Sequence, residues 1–500
     1  MDKKTTFSYL LVLLVGTIYL LTLAPTYLWS DSAKLAIFVY KKFVSFGWGS
    51  HGLHTLSGII FSKLPFNLAY TQNIMSAFFA TLGLFFVYWI ILSLTSNHLA
   101  SFISAVALGI SQTYWHYAVI NESYALDIFF RALCLWLVFR FTEKNKFFFL
   151  YLFFFFFSLS LGNHNSHFLW LAGYLLLIAD KSILKKFTLD KIFLCLTSFI
   201  LGFLPLIIGV KLLSNFAWQE TLRNFFASYY CELTHSYFAI RRLPREILRY
   251  PFYLGYQFPF LCFFIGLWGA YLLKKEKSRV FYGLLLLFLS TLIPASGYFM
   301  KARQFALLLP TYLVFSLYLG TGIDRFLKRL PISKFKNIFL LLVLILPTVG
   351  VYRIMPNVCK SAGIHLSFVR DLPYRDKFVY YLWPPKNKEY GARNYVEAAF
   401  EEAEPNSVII ADFNPGMALL YAQEVLDKRR DLLIKEEIVD QIIYGKEKPI
   451  MALRRMIDTY INERPVYLAD IYEPYYFTAE LRKYYNLIPG KALVKVVPQG

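Results

Sequence analysis

Ala69-Tyr-Thr-Gln-Asn-Ile-Met-Ser-Ala-Phe-Phe-Ala-Thr-Leu-Gly-Leu-Phe-Phe-Val-Tyr-Trp-Ile-Ile-Leu-Ser-Leu94 runs without one Asp, Glu, Lys or Arg. About 20 apolar residues carry a helix across the hydrocarbon of a bilayer, so this stretch reads as a transmembrane span. Working outward, comparable runs lie near Leu99–Val119, Tyr124–Phe141, Phe147–Leu161, Phe168–Ala179, Ile192–Leu213, Tyr253–Leu273, Val280–Ala295, Phe305–Gly322 and Ile338–Val351. Upstream, Lys3 and Lys4 precede an apolar stretch from Phe7 to Leu23. That stretch is longer than a signal-peptide core and no A-x-A site follows, so it reads as an uncleaved first helix. The predicted fold is a polytopic α-helical membrane protein of about 11 transmembrane helices.

Composition points the same way. The chain is 57% hydrophobic and only 17% charged, against about 25% charged in soluble domains, and that much apolar surface needs lipid as a second solvent. A formal net charge of +20 would suggest nucleic acid in a soluble protein. Here many of the cations stand in short runs between apolar spans, where they set orientation, and nucleic-acid binding is rejected. Cys134, Cys195, Cys231, Cys262 and Cys359 are scattered, without CxxC or metal-ligand spacing. That pattern predicts neither disulfides nor zinc, and no divalent metal or other cofactor is indicated.

The basic runs alternate along the chain: Lys3/Lys4, Lys144/Lys146, Lys181/Lys185/Lys186/Lys191, Lys274/Lys275/Lys277/Arg279 and Arg325/Lys328/Arg329/Lys334/Lys336. By the positive-inside rule these face the cytoplasm, and an odd number of spans puts everything after Val351 on the extracytoplasmic side. The long connections predicted there are residues 24–67 and 214–251. Residues 1–355 read as the membrane part, 356–389 as a linker and 390–500 as a soluble, extracytoplasmic α/β domain. In this tail, β-rich runs (Ser407–Ala411, Asp431–Ile434, Pro465–Leu468, Ala492–Val497) alternate with helical patterns (Ala392–Glu402, Pro415–Leu426, Pro449–Asn462, Phe477–Tyr485), which predicts a largely parallel sheet. Asp412-Phe-Asn-Pro-Gly416 sits where a strand passes into a helix. Either it faces a ligand or, as the blander choice, it caps the helix.

Chemistry on a lipid-borne head group belongs at the extracytoplasmic rim, and polar residues gather there. Trp29-Ser-Asp-Ser32 directly follows the first span. Asp31 is either a general base for an acceptor hydroxyl or the cap of a helix over Ser32–Lys42. Lys34, His51 and His54 of the same loop are cations or donors suited to a phosphate. Lys41 and Lys42, among Phe38, Tyr40, Phe43, Phe46 and Trp48, suit the lipid surface better. Glu122, hemmed by aromatics in Tyr114-Trp-His-Tyr-Ala-Val-Ile-Asn-Glu122, is a solvated turn residue or a site group. Leu161-Gly-Asn-His-Asn-Ser-His167 closes another span on that side, so that His164 and His167 cap it or line a pocket. Lys301 and Arg303 are further phosphate-binding candidates.

Several stretches resemble one family: Leu23-Ala-Pro25, Trp29-Ser-Asp-Ser32, Phe61-Ser-Lys-Leu-Pro-Phe66, Asn73-Ile-Met-Ser-Ala77, Trp115-His-Tyr-Ala-Val119, Asn121-Glu-Ser-Tyr-Ala-Leu126 and Leu159-Ser-Leu-Gly-Asn-His164. More weakly, Phe305-Ala-Leu-Leu-Leu-Pro310-Thr-Tyr312, Ala392-Arg-Asn-Tyr395 and Tyr421-Ala-Gln-Glu-Val425 do so too. The family is one of multi-spanning proteins, within the GT-C superfamily, whose eukaryotic member is a transmembrane protein O-mannosyltransferase. Two departures stand out. Where members read D-S-G-E this chain reads Asp31-Ser-Ala-Lys34, and a proline-rich stretch is replaced by Gly47-Trp-Gly-Ser-His-Gly52.

The resemblance implies an inverting glycosyltransferase of a bacterial inner membrane. Its donor would be a polyprenyl-phosphate-linked sugar and its acceptor a protein, lipid or glycan, with Asp31 as base and Glu122 and Asn163 lining the site. Two other classes compete: a transporter or flippase of lipid-linked intermediates, and a catalytically inactive membrane scaffold. Transporters place polar residues at mid-membrane in broken helices, whereas these gather at one rim.

Overall fold

The structure, a computed structural model, describes residues 3–46, 51–213, 217–225, 239–298, 301–329, 336–366, 369–436, 438 and 448–499, without the side chains of 3–5, 301–303 and 336–344. The helices of the first half are α1 (Lys3–Thr22), α2 (Asp31–Tyr40), α3 (Gly52–Phe61), α4 (Leu68–Thr95), α5 (His98–Gly109), α6 (Gln112–Ala118), α7 (Tyr124–Lys144), α8 (Phe147–Leu161), α9 (Leu171–Ile178), α10 (Lys181–Leu184) and α11 (Leu189–Leu213). Next come α12 (Leu243–Gln257), α13 (Leu261–Glu276), α14 (Ser278–Gly297), α15 (Lys301–Leu307), α16 (Leu309–Arg329) and α17 (Lys336–Ser361).

Local chemistry starts and stops these helices. Asn67 accepts from the Tyr70 amide to open α4, and Asn97 accepts from Leu99 and Ala100 to open α5, each satisfying amides the first turn leaves unpaired. Ser96 and Asn145 end α4 and α7 in the left-handed conformation. Glycines let α13 and α16 touch backbone to backbone: a methyl at Gly269 would run into the Tyr318 carbonyl, and one at Gly322 into that of Ile265. Small residues at a crossing are how helices associate where lipid supplies no hydrophobic drive. By contrast α11 leaves Leu189, Phe193, Leu196, Ile200 and Leu212 exposed, an apolar outer face suited to lipid.

Among the described residues three helices (Leu68–Thr95, Leu189–Leu213 and Ser278–Gly297) are long and apolar enough to cross a membrane alone, or four if a bent pair counts as one span. The sequence count of about 11 therefore rests on shorter helices as well. Two expected spans are corrected. The run Leu99–Val119 is broken at Ile110–Ser111, and α6 is a separate short helix. The run Tyr253–Leu273 is the bent pair, α12 and α13 meeting at 116°. The first break falls at Ser111-Gln-Thr113 and the second at Pro259, short interruptions that a hydropathy average over a whole span smooths away. Residue 355, the expected end of the membrane part, lies inside α17, and the expected linker carries the helix α18 (Lys377–Leu382).

In the tail, α19 (Gly391–Glu402), β1 (Val408–Ile410), α20 (Phe413–Glu424), β2 (Leu433–Lys435), α21 (Pro449–Tyr460), β3 (Val466–Leu468), α22 (Glu473–Tyr476), α23 (Thr478–Leu481), β4 (Tyr485–Pro489) and β5 (Val494–Pro498) follow in order. The sheet order is β2-β1-β3-β5-β4. Strand β1 is parallel to β2 and β3, while β5 is antiparallel to β3 and β4. The sheet is thus mixed rather than largely parallel, because an edge strand starts at Tyr485, where the helix expected over Phe477–Tyr485 would end, and pairs antiparallel with β5.

Alternation along the strands sends side chains to two cores. Val408, Ile410, Val466 and Leu468 pack with Leu453, Ile457, Tyr476 and Leu481, all from the tail. On the other face Ile409 and Tyr467 pack with Tyr395, Val396, Leu419 and Tyr421, and with Tyr27, Trp29, Ala33 and Ile37 of the first connection. Helix α2 is therefore part of the tail's core as well as of the bundle's end.

Candidate active site

The segment leading into α2 is tied down by two backbone carbonyls and one side-chain hydroxyl. Asn73 donates to the Ala24 carbonyl at 2.8 Å, the Ala24 amide donates to Val119 O at 3.0 Å, and Trp115 Nε1 donates to Thr22 Oγ1 at 2.9 Å. Ser30, at φ 60°, occupies the cap position of α2 and its side chain makes no capping hydrogen bond. Asp31 is the first helical residue, so the sequence alternative of an Asp31 cap does not describe this helix. A non-glycine residue in that backbone region is strained and persists only where its surroundings hold it. Trp29 and Tyr27 provide the hold, with ring centroids 5.3 Å from Tyr395 and 4.5 Å from Tyr421 of the tail.

Around Asp31 several expected site residues come together. Asn121 Nδ2 donates to the Ser32 carbonyl at 2.8 Å, which sets the Asn121-Glu122 turn against the first turn of α2. Asn163 Nδ2 donates to the Ser123 carbonyl at 3.0 Å. His51 Nδ1 meets the Asn163 carbonyl at 2.6 Å and its Nε2 lies 3.4 Å from Ser123 Oγ. The Leu53 amide donates to Gly162 O at 3.0 Å. The His51 and His164 rings lie 5.6 Å apart, and Tyr124 is 6.0 Å from His164. Asp31, His51, Glu122, Asn163 and His164 thus share one end of the bundle. Burial raises the Tyr380 hydroxyl well above its ordinary pKa, with Tyr381 and then the charges of Glu389 and Glu122 adding and Arg375 opposing.

The other expected residues are placed differently. Lys34 Nζ lies over the rings of Phe38 and Phe413, 5.4 and 5.6 Å from their centroids, directed at the tail rather than into the cluster. His54 is fully buried, neither ring nitrogen has a hydrogen-bond partner, and burial together with His51 pushes it down to about 3. His167 is buried between Ser160 Oγ at 2.6 Å and the Tyr174 hydroxyl at 2.8 Å, a structural position below the rim. Lys41 pairs with Glu424 of the tail at 3.0 Å. The backbone of Lys301 and Arg303 belongs to α15, and their side chains, like the residues 47–50, lie outside the described residues. Asp412 caps α20 by accepting from the Asn414 amide at 3.1 Å, and Arg370 pairs with it at 2.8 Å.

Sequence reasoning passed over Asp127, Arg131 and Ser166. Arg131 Nε donates to Asp127 Oδ2 at 2.8 Å and its Nη2 to Ser166 Oγ at 2.8 Å, and Ser166 Oγ meets His164 Nδ1 at 2.8 Å. Opposite charges four residues apart in an otherwise apolar helix were the available signal. Beside the cluster, a cavity of about 260 Å³ is lined by Tyr117, His116, Gln112, Tyr256, Phe305 and Tyr381 among others. Tyr117 connects the two, its ring 4.7 Å from that of Tyr124. Among the described residues no three metal-ligating side chains converge.

This mostly helical architecture resembles that of GT-C membrane proteins. The structure superposes on ArnT from Cupriavidus metallidurans bound to undecaprenyl phosphate with a TM-score of 0.58 at 10% identity, covering 98% of each chain. The apo state of that protein gives 0.59 at 11% identity, again over 98% of each chain. An oligosaccharyltransferase from Archaeoglobus fulgidus, in complex with zinc and sulfate, gives 0.53 at 12%, covering 98% of this chain and 73% of that one. No curated protein matches by sequence. At the level of family, residues 50–186 match the one described as Protein O-mannosyl-transferase TMEM260 N-terminal domain. That stretch holds five of the stretches that carry the resemblance, from Phe61-Ser-Lys-Leu-Pro-Phe66 to Leu159-Ser-Leu-Gly-Asn-His164, and the resemblance is borne out there.

Proposed function

We propose that this chain is an inverting glycosyltransferase that moves a sugar from a polyprenyl-phosphate-linked donor to an acceptor hydroxyl on the extracytoplasmic face. The observation that carries the reading is the gathering of Asp31, His51, Glu122, Asn163 and His164 at one end of the bundle, next to an aromatic cavity. In this reading Asp31 takes the acceptor proton. The freed oxygen attacks the anomeric carbon from the face opposite the phosphate, and the sugar–phosphate bond breaks with its electron pair leaving on the phosphate oxygen. One carboxylate suffices for a single displacement. The cavity beside Tyr117 suits the first apolar units of the donor, since apolar walls with a few polar groups are what lipid-like ligands select.

The family match and the shared fold support transfer chemistry over transport, as does the placing of the polar groups at one end. Orientation follows the charge pattern: N-terminus cytoplasmic, tail extracytoplasmic. Incubating the purified chain with a panel of labelled polyprenyl-phosphate sugars and membrane extract as acceptor tests the reading. Label is expected to move to the acceptor with inversion at the anomeric carbon; movement of intact donor across vesicles without transfer would favour the flippase class instead.

A further inference from the structure

Helix α12 (Leu243–Gln257), with the helical turn Ile240–Arg242 before it, shows three sectors around its axis. Glu246, Tyr250, Leu254 and Gln257 are buried against the bundle. The Tyr250 hydroxyl donates to Thr311 Oγ1 at 2.7 Å, and Gln257 Oε1 accepts from the Thr113 amide at 2.9 Å, so this partly polar sector fixes the helix. The second sector is apolar and bare: Leu248 is 75% exposed and Phe252 is 78% exposed. Between the two stand Arg245 and Arg249, with Arg241 one turn earlier, each four residues from the next.

Polar groups inward and large apolar groups outward reverse the order of a helix surrounded by water. The order suits a helix lying in the surface of a bilayer, with apolar side chains at the acyl boundary and cations among the head groups. The bend agrees. α12 meets α13 at 116°, nearer to a right angle than to a straight continuation, and α13 turns Leu261, Phe264 and Leu267 outward.

The arginines also stand where orientation does not call for them. The Tyr256 hydroxyl donates to the Leu382 carbonyl at 3.1 Å, which sets α12 against the segment leading into the tail. That is the far end of α13 from Lys274 and Lys275. Cations that set orientation collect on one side of the membrane, whereas Arg241, Arg242, Arg245 and Arg249 are on the other. Glu246, 2% exposed, lies 3.4 Å from Arg245 and 3.2 Å from Arg249. It steadies both, yet their side chains stay 54% and 48% exposed, and one carboxylate has too few acceptor sites for the donors of two guanidiniums.

We propose that α12 is a docking surface for an anionic phospholipid bilayer, with Leu248 and Phe252 entering the acyl boundary and Arg241, Arg245 and Arg249 taking lipid phosphates. Charge decides the occupant: a zwitterionic surface offers this stripe no net counter-charge, and an acidic one does. Phe252, Tyr253 and Tyr256 also line the cavity beside the candidate site, so the helix resting on the lipid is at the same time a wall of that cavity.

Native mass spectrometry of the full chain, released from nanodiscs of equal phosphatidylglycerol and phosphatidylcholine, counts the lipids it keeps. Arg245 and Arg249 are replaced together with the buried carboxylate they face, in Arg245→Gln/Glu246→Gln/Arg249→Gln, so that no charge is stranded. Arg241→Gln leaves that carboxylate paired, and Lys274→Gln/Lys275→Gln is the control at the far end of α13. The wild-type chain is expected to keep phosphatidylglycerol in preference. Each arginine variant should bind it about fivefold more weakly and phosphatidylcholine unchanged, while the lysine variant keeps the preference. Equal retention of the two lipids by the wild-type chain overturns the proposal, as does a preference that survives in both arginine variants. If those variants instead lose undecaprenyl phosphate and keep phosphatidylglycerol, the stripe serves a single lipid-linked ligand, and the bilayer surface is overturned as its occupant.

Discussion

The two faces of the tail's sheet are closed by different parts of the chain. One is sealed by the tail itself, with Leu453, Ile457, Tyr476 and Leu481 laid over Val408, Ile410, Val466 and Leu468. The other is completed by Tyr27, Trp29, Ala33 and Ile37, which belong to the connection that also holds Asp31. The first face is what any small α/β layer needs to exist. The second makes the tail a wall of the candidate site, because the helix that starts at Asp31 is wedged between bundle and sheet. An additional hydrogen bond spans the junction, the Ser30 amide donating to the Asn414 carbonyl at 3.5 Å.

Substitutions on the two faces should therefore differ in kind. Trp29→Ala removes a nearly fully buried indole and is expected to cost about 3–5 kcal/mol, to expose the tail to protease and to abolish transfer. Leu453→Ala on the self-contained face is expected to cost about 2–5 kcal/mol yet leave transfer near wild type well below the melting temperature. Melting curves run beside initial rates separate the two. Loss of transfer from both variants in proportion to stability would erase the distinction.

A second contrast uses acidity. His54 sits in α3 beneath His51, and its folded value of about 3 lies below the ordinary 6.5. The unfolded chain therefore binds this proton first as pH falls. His54 should contribute stability that is complete above about pH 6.5 and is lost toward pH 3, at up to about 1.4 kcal/mol per pH unit. Replacing it in His54→Leu should flatten the acid limb of a plot of melting temperature against pH; an unchanged limb would mean the ring is hydrated. The smallest effect is expected at the rim of the shared face. Lys41→Ala breaks a half-exposed pair with Glu424 and should change stability by less than about 1 kcal/mol, since apolar burial rather than charge docks the tail. A larger loss by calorimetry would reverse that order.

Legibility in the sequence followed the physics of each part. Long apolar runs made α4 and α8 readable to within a few residues, and α7 despite its Asp127 and Arg131, because lipid demands such length and apolarity of no other element. The break before α6 and the bend between α12 and α13 were passed over because Ser111-Gln-Thr113 and Pro259, which mark them, are short interruptions in runs that stay apolar on average. Strand β4 was missed because Tyr485–Pro489 is an edge with mostly outward side chains and a terminal proline, a pattern edges tolerate. At the candidate site, Asp31, His51, Glu122 and His164 stood out by their position at span ends with plainer alternatives open, and the family resemblance is what singled out Asp31, Glu122 and Asn163. The docking of Trp29 on Tyr395 was not, because it joins segments remote in sequence by shape alone. Asp127 and Arg131 were legible in principle, as opposite charges one helical turn apart.

In the proposed function the carboxylate at the start of α2 is the base of a sugar transfer carried out where the bundle and tail meet. Asp31→Asn tests it most directly, since the amide keeps the size of the side chain but cannot take a proton near neutral pH. Initial rates of label transfer from a polyprenyl-phosphate sugar, measured with melting temperature for wild type, Asp31→Asn and Glu122→Gln, give the answer. The account predicts a rate about 10²- to 10⁴-fold lower for Asp31→Asn at an unchanged melting temperature; near wild-type turnover by that variant would contradict it.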